Sequence, residues 1–131
     1  MNMKDMSRKE VGDYGERVAA EFLKKKGFRL VDRNVRRKTG EIDLIVRKGI
    51  TLHFVEVKSV LCYEFPDPES SRVQYDPSLN LHRDKIRRVS RTGEWYAAEK
   101  RWSGLLAVDG VLVWLRARDG VARVSYLPQI L

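Results

Sequence analysis

The chain has 131 residues, a length that suits one domain with a modest core, and 43% of its residues are hydrophobic. Its net charge of +8 predicts attraction to a polyanion, and nucleic acid is the commonest one. The single cysteine, Cys62, excludes an internal disulfide and fits a reducing compartment. No run approaches the roughly 20 apolar residues of a membrane span, so we expect one cytoplasmic domain over residues 1–131 without membrane contact.

The first half of the chain reads as one helix followed by three strands. Ser7 and Glu10 have the spacing of a capping box, and apolar residues at helical spacing continue toward Gly27. This pattern predicts a first helix from about Arg8 to Lys26. Apolar alternation then predicts three strands, over residues 28–35, 41–47 and 51 to about 60.

The second half of the chain begins with a segment of a different character. Residues 61–80 contain three prolines and few periodic apolar positions, which predicts a long excursion of the kind that is usually functional or mobile. A second helix is expected over residues 81–100, with Asn80 or Ser78 as its cap. Its apolar stripe comprises Ile86, Val89, Gly93, Tyr96 and Ala97. Two further strands, over residues 105–115 and 121–127, complete an α/β order of α-β-β-β-α-β-β.

Charged residues occupy alternate positions in two apolar strand runs, Gly40-Glu41-Ile42-Asp43-Leu44-Ile45 and His53-Phe54-Val55-Glu56-Val57-Lys58. Alternate residues share a face, so Glu56 and Lys58 lie together. Lys48-Gly49 predicts a hairpin turn, and an even loop length brings Asp43 to the same face. A two-residue loop places Asp43 diagonal to Glu56, and a four-residue loop places it directly opposite. The apolar neighbours favour a partly buried site over an exposed salt bridge, which stabilises by under about 1 kcal/mol.

Two carboxylates and a lysine on one surface suit metal-assisted hydrolysis of a phosphodiester. Mg²⁺ or Mn²⁺ takes oxygen ligands, which we expect from Asp43, Glu56 and the carbonyl of Val57. Lys58 is expected to orient the attacking water and to offset the charge of the phosphate. Glu16 lies off the apolar stripe of the first helix, and we expect it to reach toward the carboxylates and bind a second ion or a water. An ordinary solvated glutamate is the alternative for Glu16.

Basic and aromatic residues beside these motifs are candidates for contacts to nucleic acid. The phosphate contacts are expected in the turn after the first strand and at the start of the second helix, from Arg36, Arg37, Lys38, Lys85 and Arg88. His53 faces away from Glu56 and is expected to be structural. Three aromatic residues near the end of the second helix fit a core better than a stacking role: Trp95, Tyr96 and Trp102. Better stacking candidates lie in the excursion, at Tyr63, Phe65 and Tyr75.

The segments GEIDLI and FVEVK, at this spacing and together with Glu16, resemble the motif set of the YraN-type bacterial proteins. That family belongs to the PD-(D/E)xK nuclease superfamily and is distantly similar to archaeal Holliday-junction resolvases. The resemblance covers about residues 10–127 and extends to Asn34, Lys85, Arg88 and Asp109-Gly110.

The resemblance implies a restriction-endonuclease-like fold with a mixed central sheet flanked by helices. Asp43 then corresponds to the acidic residue of the first sheet motif, and Glu56 and Lys58 correspond to its E-x-K. Glu16 corresponds to the helical glutamate that often joins the site. Val60 stands where the family usually has a basic residue, a departure that concerns substrate contacts more than the metal site.

Residues and resemblance together predict a metal-dependent nuclease that acts on branched or single-stranded nucleic acid, with DNA favoured over RNA. Two alternatives stay open. The first is a nucleic-acid-binding module that keeps the fold but cuts little, and the second is an accessory subunit that lends a basic surface to a repair or recombination complex. A homodimer is expected by analogy with junction-resolving enzymes.

Overall fold

A computed structural model describes residues 3–66 and 83–131, and its elements follow the predicted order. After a short 3-10 helix at Met3–Asp5, the chain forms α1 (Arg8–Lys25), β1 (Arg29–Arg37), β2 (Gly40–Lys48), β3 (Thr51–Cys62), α2 (Arg83–Glu99), β4 (Leu105–Arg116) and β5 (Ala122–Leu127). The predicted fold class, an α/β protein with helices on a mixed sheet, is confirmed. The architecture is consistent with a restriction-endonuclease-like core.

The five strands form one sheet in the order β1-β2-β3-β4-β5. All neighbouring pairs are antiparallel except β3 and β4, which are parallel and are connected through α2. Adjacent strand residues belong to different core clusters, because side chains alternate between the two faces. Leu44 and Val55 pack in the cluster that contains α1, whereas Ile45 and Phe54 pack in the cluster that contains α2. The two helices therefore cover opposite faces of the sheet.

A capping box fixes the start of α1, and a glycine allows the helix to pack closely on β3. Ser7 Oγ accepts a hydrogen bond from the Glu10 backbone N–H at 3.1 Å, and a Glu10 carboxylate oxygen accepts one from the Ser7 N–H at 3.2 Å, which confirms the capping box. A Cβ atom on Gly15 would lie 1.7 Å from Ser59 Oγ, whereas one on Gly12 would meet nothing within 4 Å. The close approach of α1 to β3 therefore depends on Gly15, and it carries Glu16 toward the sheet.

The loop of the β2–β3 hairpin lies one residue later in the chain than the predicted turn at Lys48-Gly49. Lys48 pairs with Thr51, so the two-residue loop is Gly49-Ile50, with Gly49 at a φ of +60°. The pairs Arg47–Leu52 and Leu44–Val55 have the register that the sequence predicted for a four-residue loop, in which Asp43 lies opposite Glu56. The register predicted for a two-residue loop at Lys48-Gly49 is not the one observed, and the ladder itself ends at Leu44–Val55.

Other boundaries differ where long-range pairing decides them. β3 extends to Cys62 because its parallel ladder with β4 continues to the pair Cys62–Arg116, so residues 61–62 belong to a strand and not to the predicted excursion. Residues 67–80, with Tyr75 and the two predicted caps, lie outside the described residues. The predicted apolar stripe of α2 is buried along its whole length. No helix in residues 3–66 and 83–131 is long and apolar enough to cross a membrane.

Candidate functional site

The candidate site lies where β2 separates from β3. Their ladder ends at the pair Leu44–Val55, whereas β3 continues beside β4 alone. The apolar alternation of β2 breaks at the same point, since Ile42 and Ile45 pack in the same cluster although they are three residues apart. The break leaves one edge of β3 open directly beside Asp43.

The Asp43 carboxylate takes the place of a backbone partner at this open edge. Its Oδ2 accepts a hydrogen bond from the backbone N–H of Val57 at 2.8 Å. The N–H and C=O groups of one strand residue point to the same edge of the strand, so the Val57 carbonyl also faces the gap. The structure thus brings two of the predicted oxygen ligands, on Asp43 and Val57, to one place.

Glu56 is buried beside Asp43, on the face of the sheet that α2 covers. The residue is 2% exposed, and its Oε1 lies 2.5 Å from Lys85 Nζ. Its Oε2 is also buried and has no hydrogen-bond partner in the described part of the chain. Burial and, second, the charge of the Asp43 carboxylate together raise the pKa of Glu56 to about 7, against the opposing effect of Lys85. A cation can satisfy such an oxygen, and so can a proton shared with the neighbouring Asp43 carboxylate.

Asp43 and Glu16 are also held in environments that disfavour their charge. Burial raises the pKa of Asp43, although the hydrogen bond from Val57 opposes the shift. For Glu16, burial first and repulsion from Asp43 second raise the pKa to about 7, while a hydrogen bond with Asn34 lowers it. Asn34 has a left-handed φ of +50°, which asparagine tolerates better than most residues. Glu16 is thus half-buried and electrostatically close to Asp43, and it is not an isolated solvent-facing side chain.

Lys58 lines a cleft of about 460 Å³ between the start of α1 and the open edge of β3. Glu16 and Val57 line the same cleft. The Lys58 side chain is half-buried, and it forms no ion pair within residues 3–66 and 83–131. Its ammonium group is therefore available to a molecule that enters the cleft from solvent.

The donor set at this edge fits one hard divalent ion. Asp43, Glu56 and the Val57 carbonyl supply oxygen atoms, and Glu56 Oε2 has no hydrogen-bond partner among the described residues, although Lys85 already pairs with Oε1 of the same carboxylate. Among the described residues, no group of three His, Cys, Asp or Glu side chains is close enough to hold a metal. Glu16 therefore does not stand as a third direct ligand in this conformation, and a role through a bound water suits its position better.

The predicted phosphate contacts divide into residues with and without an acidic partner. Arg36 Nε lies 3.3 Å from Glu41 Oε1, Arg37 forms a two-bond fork with Glu99, and Lys85 pairs with Glu56. Lys38 and Arg88 have no ion-pair partner in the part of the chain that the structure describes. The sequence had suggested phosphate contact for Lys85 but not its pairing with Glu56, because that contact depends on how α2 crosses the sheet.

A second buried carboxylate, Asp109, lies on the opposite face of the sheet. Its Oδ2 accepts hydrogen bonds from His53 Nδ1 at 2.6 Å and from the Tyr126 hydroxyl at 2.7 Å, and its Oδ1 accepts one from the Gln129 N–H at 2.9 Å. Burial acts to raise the pKa of Asp109, but these hydrogen bonds outweigh it and hold the pKa below its usual range. The contact agrees with a structural role for His53. An aspartate within the apolar run of β4 was the only sign of this network in the sequence.

Comparison with known proteins gives consistent matches over most of the chain. The model of the uncharacterised protein family UPF0102 matches residues 15–113. A UPF0102 protein of Beutenbergia cavernae is 39% identical over 118 residues, which is 89% of this chain and 92% of the relative. One of Thermotoga neapolitana is 39% identical over 104 residues, which is 79% of this chain and 87% of the relative. A UPF0102 protein of a Sulfurovum species is 35% identical over 103 residues, which is 78% of this chain and 81% of the relative. The family match spans Glu16, Asp43, Glu56 and Lys58.

Proposed function

The chain belongs to the UPF0102 family, as the resemblance to the YraN-type proteins predicted, and on this premise we propose that it is a metal-dependent nuclease that hydrolyses phosphodiester bonds in DNA. The observation that carries the proposal is the buried, unpartnered oxygen of Glu56 beside Asp43, at an open strand edge of a strongly basic protein. A buried carboxylate pair costs stability, and such pairs cluster at sites that bind cations or transfer protons.

Each residue of the site has a distinct role in this proposal. Asp43, Glu56 and the Val57 carbonyl would hold Mg²⁺ or Mn²⁺, which supplies charge neutralisation and a more acidic bound water. Lys58, in the adjoining cleft, offsets the charge of the scissile phosphate and hydrogen-bonds the attacking water. Glu16, with a pKa of about 7, holds or accepts a proton from water on the α1 side.

The substrate we propose is DNA, branched or single-stranded, bound by the basic surface next to the site. Lys38 and Arg88 supply the positive charge that no acidic partner neutralises within the described residues. Arg88 also lines a cleft of about 430 Å³ together with Lys85 and with two acidic residues, Glu41 and Asp84. A homodimer would present two such sites to one branched substrate, and sedimentation analysis with and without a four-way junction tests this expectation.

One observation favours a second candidate, a nucleic-acid-binding module with little catalytic activity. The Lys85 ammonium, 2.5 Å from Glu56, already provides a positive charge where the metal would lie. Under this alternative, binding is sensitive to salt and survives Asp43→Ala without any cleavage. Absence of nucleic-acid binding even at low salt would instead favour the third candidate, an accessory subunit that contacts other proteins.

A cleavage assay on a labelled panel tests the proposal. The panel comprises duplex, single-stranded, flap and four-way-junction DNA and structured RNA, each with Mg²⁺, Mn²⁺ or EDTA. Lys58→Ala should lower the rate by about 100-fold or more, while the exposed Lys25→Ala serves as the matched control and leaves the rate unchanged. Absence of cleavage, or cleavage that persists in Lys58→Ala, would contradict the assigned site.

A further inference from the structure

Trp95 is a large aromatic side chain that α2 leaves exposed. It is 59% exposed, whereas the neighbouring Tyr96 is 3% exposed. Tyr96 has clear structural contacts, since its ring meets Phe54 edge-on at 6.5 Å and its hydroxyl donates to Asp32 at 3.1 Å. In the described part of the chain, no ring contact or hydrogen bond holds the Trp95 indole. Core packing therefore explains Tyr96 and does not explain Trp95.

Arg37 lines the same cavity as Trp95, and its guanidinium group is fixed in orientation. Its Nε and Nη2 donate to the two carboxylate oxygens of Glu99 at 3.2 and 2.9 Å, and its Nη1 donates to the Arg36 carbonyl at 2.8 Å. These hydrogen bonds use the edges of the group and leave its flat faces for stacking. Guanidinium planes and aromatic rings are the two surfaces on which proteins stack unpaired bases.

The cavity has a size and lining that suit one heterocyclic base. Its volume is about 320 Å³, at the lower end of the range for small-ligand pockets, and most of its lining is apolar. Lys38 and Glu99 also line it; Lys38 forms no ion pair with any described residue, whereas the Glu99 carboxylate is paired with Arg37. A mostly apolar slot beside an ammonium group that has no ion-pair partner among the described residues suits a base joined to its phosphate, because the base can stack while the phosphate meets the lysine.

The slot is connected to the candidate nuclease site through α2 and the β1–β2 hairpin. Thr39 Oγ1 and Thr92 Oγ1 lie 2.7 Å apart, and this hydrogen bond holds the tip of the β1–β2 hairpin against α2. Lys85, which contacts Glu56, precedes Trp95 by ten residues on α2, a separation of about 15 Å. One strand of nucleic acid can therefore span both places within a few nucleotides.

We propose that the slot between Trp95 and Arg37 binds an unpaired base of a single-stranded or branched nucleic acid. A paired base is covered on both faces by its neighbours, so only a base that has left the stack can enter. The inference rests on the proposed function in one respect: the strand held at the slot is the strand that reaches Asp43 and Glu56.

Tryptophan fluorescence in EDTA tests the slot without any cleavage. The full chain is titrated with single-stranded oligo(dT) and, separately, with a blunt duplex. Oligo(dT) should quench the parent protein, and Trp95→Ala should weaken oligo(dT) binding about tenfold with less than a twofold effect on the duplex. Trp95→Phe should keep the affinity but lose the quenching, and Trp102→Phe, the matched control, should keep both.

A second variant tests the guanidinium face. Arg37→Lys keeps the charge and loses the plane, so it should weaken oligo(dT) binding several-fold. A merely electrostatic surface would bind equally well with lysine. Unchanged binding in Trp95→Ala, or no quenching of the parent by bound oligo(dT), overturns the inference. Metal-dependent cleavage with an unaffected Trp95→Ala refutes the slot alone, whereas stacking without any cleavage refutes the proposed nuclease alone.

Discussion

Two buried carboxylates on neighbouring strands of this sheet have opposite properties. Asp109 on β4 is 0% exposed and Glu56 on β3 is 2% exposed, and they lie on opposite faces. Three donors satisfy Asp109, and its pKa is lowered. Glu56 has one lysine partner and one bare oxygen, and its pKa rises to about 7. Burial alone therefore does not determine the state of a carboxylate, and the donors around it do.

The difference separates a structural charge from one that is suited to chemistry. The Asp109 network joins β3, β5 and the segment after β5 through His53, Tyr126 and Gln129, so its hydrogen bonds stabilise the fold. Glu56 and Asp43 repel each other at an open strand edge and do not stabilise the metal-free protein. Mutation, ion binding and pH should therefore affect the two carboxylates differently.

Asp109→Ala should lower the free energy of unfolding by about 3–4 kcal/mol, because it empties a fully buried position and leaves three partly buried donors without an acceptor. Asp43→Ala is the matched deletion at the candidate site. It should change the free energy of unfolding by less than about 1 kcal/mol, since the lost hydrogen bond from Val57 is offset by relief of the repulsion from Glu56. Urea denaturation in EDTA measures both. An equal loss of unfolding free energy in Asp109→Ala and Asp43→Ala would contradict the distinction between a structural and a functional carboxylate.

Divalent ions should stabilise the folded protein by binding at Glu56 and not at Asp109. At an ion concentration of 100 times Kd, the parent protein should gain about 2.7 kcal/mol, because the ion binds the folded state alone. Glu56→Gln should abolish this gain, whereas the exposed Glu94→Gln should retain it. Unfolding midpoints with Mn²⁺ and with EDTA provide the measurement. A full gain in Glu56→Gln would place the ion elsewhere.

The pH dependence of stability should have opposite signs for the two carboxylate environments. In EDTA, Glu16 and Glu56 have folded-state pKa values of about 7 against 4.5 in the unfolded chain, so the folded state binds more protons between these values. Stability should therefore fall, on the order of 1–2 kcal/mol, as pH rises from about 4.5 to about 7. The contribution of Asp109, whose pKa is lowered, is complete above the unfolded-state value of 3.8 and is lost as pH falls through the folded-state value.

Urea midpoints across this pH range measure the slope. Glu56→Gln should flatten it most and Glu16→Gln less, because Glu16 is more exposed to solvent. Stability that rises between pH 5 and pH 7 in EDTA would contradict the assigned pKa directions.

The smallest effect concerns one donor of the Asp109 network. Tyr126→Phe removes the hydroxyl that donates at 2.7 Å, but Asp109 keeps two other donors, so the cost should be about 1 kcal/mol. Nuclease activity should not change, since Tyr126 lies on the face of the sheet away from Glu56. Thermal unfolding of Tyr126→Phe against the exposed Tyr63→Phe measures the cost. A loss of cleavage would mean that the two networks are coupled.

The element order and the strand positions of Asp43, Glu56 and Lys58 could be predicted from the sequence. The capping box at Ser7 and the apolar stripe of α2 depend on spacings within one element, and such spacings are local. The same locality placed Asp43, Glu56 and Lys58 on adjacent strands. It did not fix the hairpin register, because the turn at Gly49-Ile50 is displaced by one residue from the Lys48-Gly49 signal.

The partners that each charged side chain meets could not be predicted from the sequence, because they depend on long-range packing. The ion pair of Lys85 with Glu56, the hydrogen bond from Val57 to Asp43 and the approach of Glu16 all require elements distant in sequence to pack at one strand edge. The same packing satisfied Asp109 and extended β3 along β4. Alternation and helical spacing are properties of the local backbone, whereas burial and hydrogen-bond partners arise from long-range packing that no short segment encodes.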